Sequence, residues 1–379
     1  MRVTCLWVLL KGSIVVSFAA LGLASSVKSQ GIGSPILPQL TPSPTFSDST
    51  MPGNGDVNPY GVAFVPQGFL PVGSPLSSGD IIVSNFNNSA NLQGTGTTIV
   101  RVNHNVAPRL FFQGQEPLGL TTALGVLKDG FVLVGDLPSL DGSGTCTAES
   151  GPNQNVGQGG LLVLDQNGTL MTTFTDAIFL NGPWDLTVVD AGESAQVFVA
   201  NALSGTVTRL DLTITPGTPG SVAIKKSTQI ASGYVHRCDP AAFVVGPTGV
   251  AFDNEHDVLY VSSTGDNEIF AIAGASTRTT DAGMGELFIH DPAHLHGPLG
   301  LVLAPNGDLI STQGDAIGPR KNRPSEVVEF SSTGKFVTQF SVDLALGSAF
   351  GIALRTLDDG FVLSTVDDNT AVLDTWVVQ

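Results

Sequence analysis

A single hairpin unit constrains this chain more than any other feature. It is clearest at Gly246 to Ser263, GPTGVAFDNEHDVLYVSS, where a short apolar run (Val250, Ala251, Phe252) meets a polar turn at Asp253 to His256 and then a β-rich run (Val258, Leu259, Tyr260, Val261). Two such runs around a polar turn describe a pair of antiparallel strands. The unit recurs six times: NPYGVAF (58–64) with DIIVSN (80–85), PLGLTTA (117–123) with GFVLVGD (130–136), GPWDLTV (182–188) with QVFVAN (196–201), GPTGVAF (246–252) with DVLYVSS (257–263), GPLGLVL (297–303) with GDLISTQ (307–313), and AFGIALR (349–355) with GFVLSTV (360–366). Gly61, Gly119, Asp185, Gly249, Gly300 and Gly351 hold the same place in successive units, 51 to 66 residues apart. A third and a fourth run follow the hairpin, as at Gly160 to Asp165 and Leu170 to Phe174 around Asn167-Gly168, a dipeptide whose residues both take positive φ at low cost. Four antiparallel strands per unit, repeated radially, predict an all-β chain folded as a six-bladed β-propeller. Helical periodicity is weak throughout, which disfavours a βαβ fold.

The flanks of the repeat differ from it in kind. Arg2 and Lys11 precede an apolar run from Ile14 to Ala24 and then small residues, the layout of a cleavable export signal over residues 1–29. The run is short for a bilayer span. The expected location is therefore secreted or periplasmic, with no transmembrane segment in the mature chain. Residues 30–52 are rich in Pro, Ser and Thr and read as an extended arm; residues 53–379 read as the propeller. The last unit shows only a third strand, Ala371 to Val378, so the arm is expected to supply the missing outer strand and cover an edge that would otherwise invite aggregation. Its prolines (Pro35, Pro38, Pro42, Pro44) suit an edge strand and not a central one.

Acids outnumber Lys and Arg 33 to 16, for a formal net charge of −17. That balance argues against nucleic acid or an anionic bilayer as partner, since both need a basic face. Of the three cysteines, Cys5 falls in the signal; Cys146 and Cys238 remain and, in an oxidising compartment, suggest one disulfide.

Topology alone locates a site. Successive strands of a blade are antiparallel, so the start of each first strand and the end of each second strand share one rim of the disc. That rim carries Asn58, Glu116, Asn181, His294 and His296 from the first set, and Asn85, Asp136, Asn201, Asp266, Gln313 and Asp367 from the second. The connections bearing Cys146 and Cys238 fall on the same face, so their bond is expected to pin two long loops over the channel mouth. Acids, amides and imidazoles together suit a divalent metal: calcium where oxygens dominate, zinc where histidines converge. The candidate metal set is His294, His296, Glu116, Asp136 and Asp266, with His296 and Glu116 also the candidates for acid or base catalysis. His294 and His296 are expected to point one way, as alternate side chains of an extended segment do. Arg320, Lys321 and Arg323, with Arg237, give the same face a basic group able to bind an anion. The competing reading is that the acids and amides form turns and satisfy backbone groups, and that the basic residues pair with neighbouring acids. No GxGxxG, GxxxxGK[ST], HExxH or GxSxG is present.

The recurring pattern of G-P-x-G, a polar turn and D-x-[LI]-[YI]-V-S resembles the NHL-repeat propellers and, more distantly, the six-bladed gluconolactonase-like lactonases, streptogramin lyases and peptidyl-amidating lyases. The resemblance covers about residues 55 to 379. It implies the architecture and, from the enzymatic relatives, a metal at the channel mouth. Two readings follow. The first is an exported, monomeric NHL-type module that binds a protein or small-molecule ligand through its channel-mouth face. The second is a metal-dependent hydrolase or lyase with its site in the central channel.

Overall fold

The computed structural model describes residues 33–147, 155–217, 220–314, 317, 326–345 and 349–379. Residues 1–29, expected to be an export signal, and Arg320, Lys321 and Arg323 lie outside the described residues. Strand β1 (Phe46–Ser49) belongs to the arm. Blade 1 is β2 to β5 (Val57–Phe64, Ile81–Asn87, Thr98–Val102, Arg109–Gln113), and blade 2 is β6 to β9 (Leu120–Val126, Val132–Asp136, Gly160–Leu164, Leu170–Phe174). Blade 3 is β10 to β13 (Pro183–Asp190, Ser194–Asn201, Thr206–Thr215, Ser221–Ser232). A ribbon of β14 (Arg237–Asp239) and β15 (Phe243–Val245) precedes blade 4, which is β16 to β19 (Pro247–Asp253, Val258–Ser263, Glu268–Ala273, Glu286–Ile289). Blade 5 is β20 to β23 (Pro298–Leu303, Leu309–Gln313, Glu326–Phe330, Phe336–Ser341). Blade 6 takes β24 to β26 (Ile352–Leu357, Gly360–Asp367, Val372–Val378) and adds β1 outside them, in the order β1-β26-β25-β24. The fold is thus a six-bladed propeller of four-stranded antiparallel sheets.

Blade stacking explains the sequence pattern. A middle strand is covered on both faces by neighbouring blades, so all five residues of β8 are buried, whereas the outer strand β9 is mostly exposed. Two-sided burial reads as a continuous apolar run, and one-sided burial as an alternating one.

The arm closes the ring. Phe46 pairs with Thr375 and Ser49 with Val372, both on β26. Upstream, Ile36 and Leu37 are buried in an apolar cluster with Ile310, Phe361 and Leu363. Their N–H groups donate to Glu329 Oε1 and Oε2 at 2.7 and 2.8 Å. Trp376 Nε1 donates to Thr41 O at 3.0 Å.

The repeat glycine marks where the innermost strands of adjacent blades meet. A Cβ on Gly249 would lie 2.3 Å from Leu299 O, on Gly300 2.5 Å from Phe350 O, and on Gly351 1.9 Å from Tyr60 O. Hydroxyl groups tie the same seams: Ser84 Oγ donates to Thr121 O (2.8 Å), Thr121 Oγ1 to Pro183 O (2.9 Å), Thr248 Oγ1 to Pro298 O (3.0 Å) and Thr312 Oγ1 to Phe350 O (2.6 Å). At the seam between blades 3 and 4 the repeat has Asp185 in place of glycine, and Asp185 Oδ2 accepts the Val250 N–H at 3.3 Å. Five of the six inner hairpins shift register at this motif, and such bulges re-aim the side chains around them.

Candidate functional site at the channel mouth

The residue just before the repeat glycine faces the channel. In blades 1, 3, 4, 5 and 6 this is Tyr60, Trp184, Thr248, Leu299 and Phe350, and all five line one cavity of about 190 Å³ at the mouth. The aromatic members pack across the channel: Tyr60 and Phe350 have ring centroids 3.9 Å apart, Tyr60 and Trp184 5.8 Å. Phe86, from the end of β3, stacks on Tyr60 at 4.4 Å and meets Trp184 edge-on at 5.5 Å. Offset and edge-to-face contacts like these are each worth roughly 0.5–1.5 kcal/mol beyond the area they bury.

Amides form the wall above this layer. Asn58, Asn87, Asn91 and Gln93 line the cavity, and Asp368 is the one charged residue among its described lining residues. Asn58 sits in the left-handed region (φ 57°), a conformation Asn tolerates better than most residues. Asn87 Nδ2 donates to Asn91 Oδ1 at 2.7 Å. Three buried polar atoms of lining residues have no hydrogen-bond partner: Asn58 Oδ1, Asn87 Oδ1 and Trp184 Nε1. Leaving such a group unmade costs roughly 1–3 kcal/mol. The atoms are themselves buried, so a polar group entering the cavity would meet them only as the Asn58, Asn87 or Trp184 side chain turns toward it.

A covalent strap fixes the rim. Cys146 and Cys238 form a disulfide, with Cα atoms 5.2 Å apart. Cys238 lies on β14, whose partner β15 carries Phe243 and Val244 into the apolar cluster of Tyr60, Phe86 and Trp184. Gln93 Nε2 donates to Ala241 O at 3.1 Å, joining the loop after β3 to the same ribbon. The bond expected from the sequence thus secures a ribbon over the mouth.

The residues singled out from the sequence mostly hold loops. Asp136 Oδ1 accepts the Gly119 N–H at 2.8 Å. Asn201 accepts from Asn181 N (3.2 Å) and donates to Phe179 O (3.2 Å). Gln313 accepts the His296 N–H and donates to His294 O (3.0 Å). Each of the three joins the end of a second strand to the entrance of the first strand in its own blade. Asn85 Nδ2 donates to Thr50 O (3.2 Å), Asp266 accepts from Val235 N (3.1 Å) and Ser263 Oγ (2.6 Å), and Asp367 accepts from Asn369 N (3.0 Å) and Thr370 Oγ1 (2.6 Å). Glu116 is exposed beside a separate shallow cleft with Asp141. Burial pushes the Asp136 carboxyl up to about 7, against the lowering effect of the Gly119 N–H.

The histidine pair departs from expectation. The segment is a turn, not an extended strand: His294 N–H and Leu295 N–H both donate to Asp291 O, at 3.1 and 2.8 Å. His294 stacks on Phe336 of the outer strand β23 (centroids 3.6 Å, 10°), with Nδ1 2.9 Å from Asp291 Oδ2. His296 Nε2 lies 3.4 Å from Ala293 O. Alternation of side chains applies only to extended backbone, and the turn removes it.

No family model matches the sequence, and no curated protein sequence matches it. Among solved structures the chain is similar to a gluconolactonase of Xanthomonas campestris, with TM-score 0.52 and 14% identity over 89% of this chain and 97% of that one. It is also similar to regucalcin, a calcium-binding protein of Agrobacterium tumefaciens, with TM-score 0.51 and 12% identity over 88% and 94%. Likeness at this identity establishes the shared propeller architecture, and the resemblance read from the repeats holds at that level.

Among the described residues no group of three or more His, Cys, Asp or Glu is arranged to hold a metal ion. Among its described lining residues the mouth cavity offers side-chain oxygens of one carboxylate, several amides and the hydroxyls of Tyr60, Thr248 and Thr264, and no histidine or thiolate. That chemistry suits a hard cation such as Ca²⁺ over Zn²⁺, and with one carboxylate the hold on it would be weak.

Proposed function

We propose that the channel-mouth cavity binds a small, uncharged, hydroxyl-bearing ring of the sugar or lactone class, and that the protein acts outside the cytoplasm as a ligand-binding propeller. The observation that carries this reading is the trio of unpartnered polar atoms, two acceptors and a donor, on residues lining a cavity floored by Tyr60, Trp184 and Phe350. A hydroxylated ring presents both donors and acceptors at its edge and C–H bonds on its faces. Its faces pack on the negative surface of aromatic rings while its edge meets the amides. The cavity is smaller than the roughly 300–1,000 Å³ of drug-sized sites, which favours one ring over a chain. The disulfide favours an oxidising compartment, in keeping with export.

A second reading is hydrolysis of a lactone ring at the same cavity. The gluconolactonase among the structural neighbours supports it, and the neighbouring calcium-binding protein supports a divalent cation as its aid. One experiment separates the two. Neutral monosaccharides and their lactones are titrated calorimetrically into the wild-type protein and Trp184→Leu, with calcium and with chelator, while lactone opening is followed by acid release. The binding reading expects a saturable ring ligand without turnover, weakened about tenfold or more (about 1.4 kcal/mol) in Trp184→Leu. Lactone turnover transfers the case to the second reading. Failure of every ring to bind, with the fold intact, overturns both.

A further inference from the structure

Below the aromatic layer the channel widens again into a second cavity of about 360 Å³, which shares no lining residue with the first. The two are stacked along the channel because their lining residues follow one another on each inner strand: Tyr60 then Val62, Trp184 then Leu186, Phe350 then Ile352. Each innermost strand contributes an aliphatic residue to the lower walls: Val62, Leu124, Leu186, Val250, Leu301 and Ile352. The cavity continues to Phe64 and Leu354 near the strand ends, toward the face opposite the mouth.

Asp185 is the single ionisable residue in this lining. It stands where five of the six repeats have glycine, at the level of closest approach between inner strands, so it is the one repeat position that projects a carboxyl into the channel. Its oxygens accept the Leu186 N–H at 2.8 Å and the Val250 N–H at 3.3 Å, and it forms no ion pair among the described residues. The strands β2, β6, β16, β20 and β24 add no titratable side chain to the cavity. Arg355, the nearest cation in sequence on those strands, lies over the Phe64 ring, 5.2 Å from its centroid. Counting from Gly351, the glycine equivalent to Asp185, Arg355 is four residues further along its strand, about 13 Å at strand spacing.

We propose that the lower half of the channel binds a small alkylammonium ion, whose hydrocarbon part lies against the six aliphatic positions and whose ammonium pairs with Asp185. The chemistry selects this class over its neighbours. A divalent metal needs several oxygen ligands and the cavity has one carboxylate; an anion would face that carboxylate; a neutral alkane would leave it uncompensated in an apolar wall. Burial holds the Asp185 carboxyl well above its usual range, opposed by the two N–H groups. The ammonium ion pairs with the ionised carboxyl, so any proton the empty site holds is released on binding: the O–H bond of Asp185 breaks, the proton goes to buffer, and the ion pair remains. Affinity should accordingly rise with pH until the amine itself deprotonates.

The test uses the full chain in high salt, which screens the surface acids. Hexylammonium, hexanol and hexanoate are titrated calorimetrically in two buffers of different ionisation enthalpy, into the wild type and into Asp185→Gly, which restores the repeat residue. The expected result is binding of hexylammonium about tenfold or more tighter than hexanol and no binding of hexanoate in the wild type; in Asp185→Gly the preference vanishes, together with any proton release seen in the wild type. If Asp185→Gly does not fold, Asp185→Asn is read against the same expectations. The proposal is overturned if the wild type binds neither hexylammonium nor hexanol, binds both alike, or if the preference survives loss of the carboxyl.

Discussion

Asp136 shows how a residue can sit where the sequence places it and yet serve another role. Its position at the end of β7 follows from the repeat, and its acidity suggested a ligand. The structure buries it and bonds it to the N–H of the repeat glycine Gly119. Burial raises its pKa from the unfolded value to about 7. A raised carboxyl pKa means the folded state binds the proton more tightly, so this contribution is fully present at pH below about 4 and is lost as pH rises through about 7. Asp136→Asn keeps an acceptor for Gly119 and removes the titration. We expect it to be more stable than wild type by roughly 4 kcal/mol near pH 8 and close to wild type near pH 4, at about 1.4 kcal/mol per pKa unit over a shift of about three units. Urea unfolding at both pH values checks this; the same difference at both would show that the carboxyl does not titrate in the fold. Sequence could not reveal this role because desolvation depends on neighbours brought from other strands. Conversely, Tyr60, Trp184, Thr248, Leu299 and Phe350 share a repeat position but no chemistry, so they look like ordinary strand residues until the ring closes. The legible clue was their place immediately before the repeat position.

At the scale of elements, strands were the most readable part. The paired runs of all six hairpins, the Asn167-Gly168 turn and the donation of an arm strand to blade 6 all follow from apolar runs, turn residues and the need to cover an edge. The grip of Glu329 on Ile36 and Leu37 was not readable, since the partners lie 293 and 292 residues apart. The His294 to His296 segment was misread as extended because nothing local distinguishes an approach strand from a turn, whereas Asp291 caps the turn through its backbone oxygen. The ribbon β14 and β15 and its disulfide make a separable element. With Cys146 and Cys238 both changed to Ser, the blades should remain folded while the ribbon loosens. A closed loop of this size is worth roughly 4 kcal/mol on the chain-entropy estimate, so we also expect a lower melting temperature. Limited proteolysis should then cut first in the ribbon or in the loop bearing residue 146; cleavage unchanged from wild type would mean that packing of Phe243 and Val244, and not the disulfide, secures the mouth.

Across the whole molecule, one repeat accounts for both halves of the channel. Glycine at the tightest level lets the inner strands meet, the residue before it lines the mouth, and the residue after it lines the lower cavity in five blades. Ring closure by β1 makes these positions converge, which is why architecture and site face could be read from spacing while the ligand chemistry could not. The central claim is that the mouth takes a hydroxylated ring at the unpartnered groups beside the aromatic floor. The most direct test is tryptophan indole N–H resonances during titration with that ring. Trp376 Nε1, already bonded to Thr41 O, serves as the internal reference. The account predicts a saturable downfield shift of the Trp184 indole proton as it gains an acceptor, with the Trp376 signal unmoved. A ligand that binds while the Trp184 signal stays still, or moves both signals alike, would contradict it.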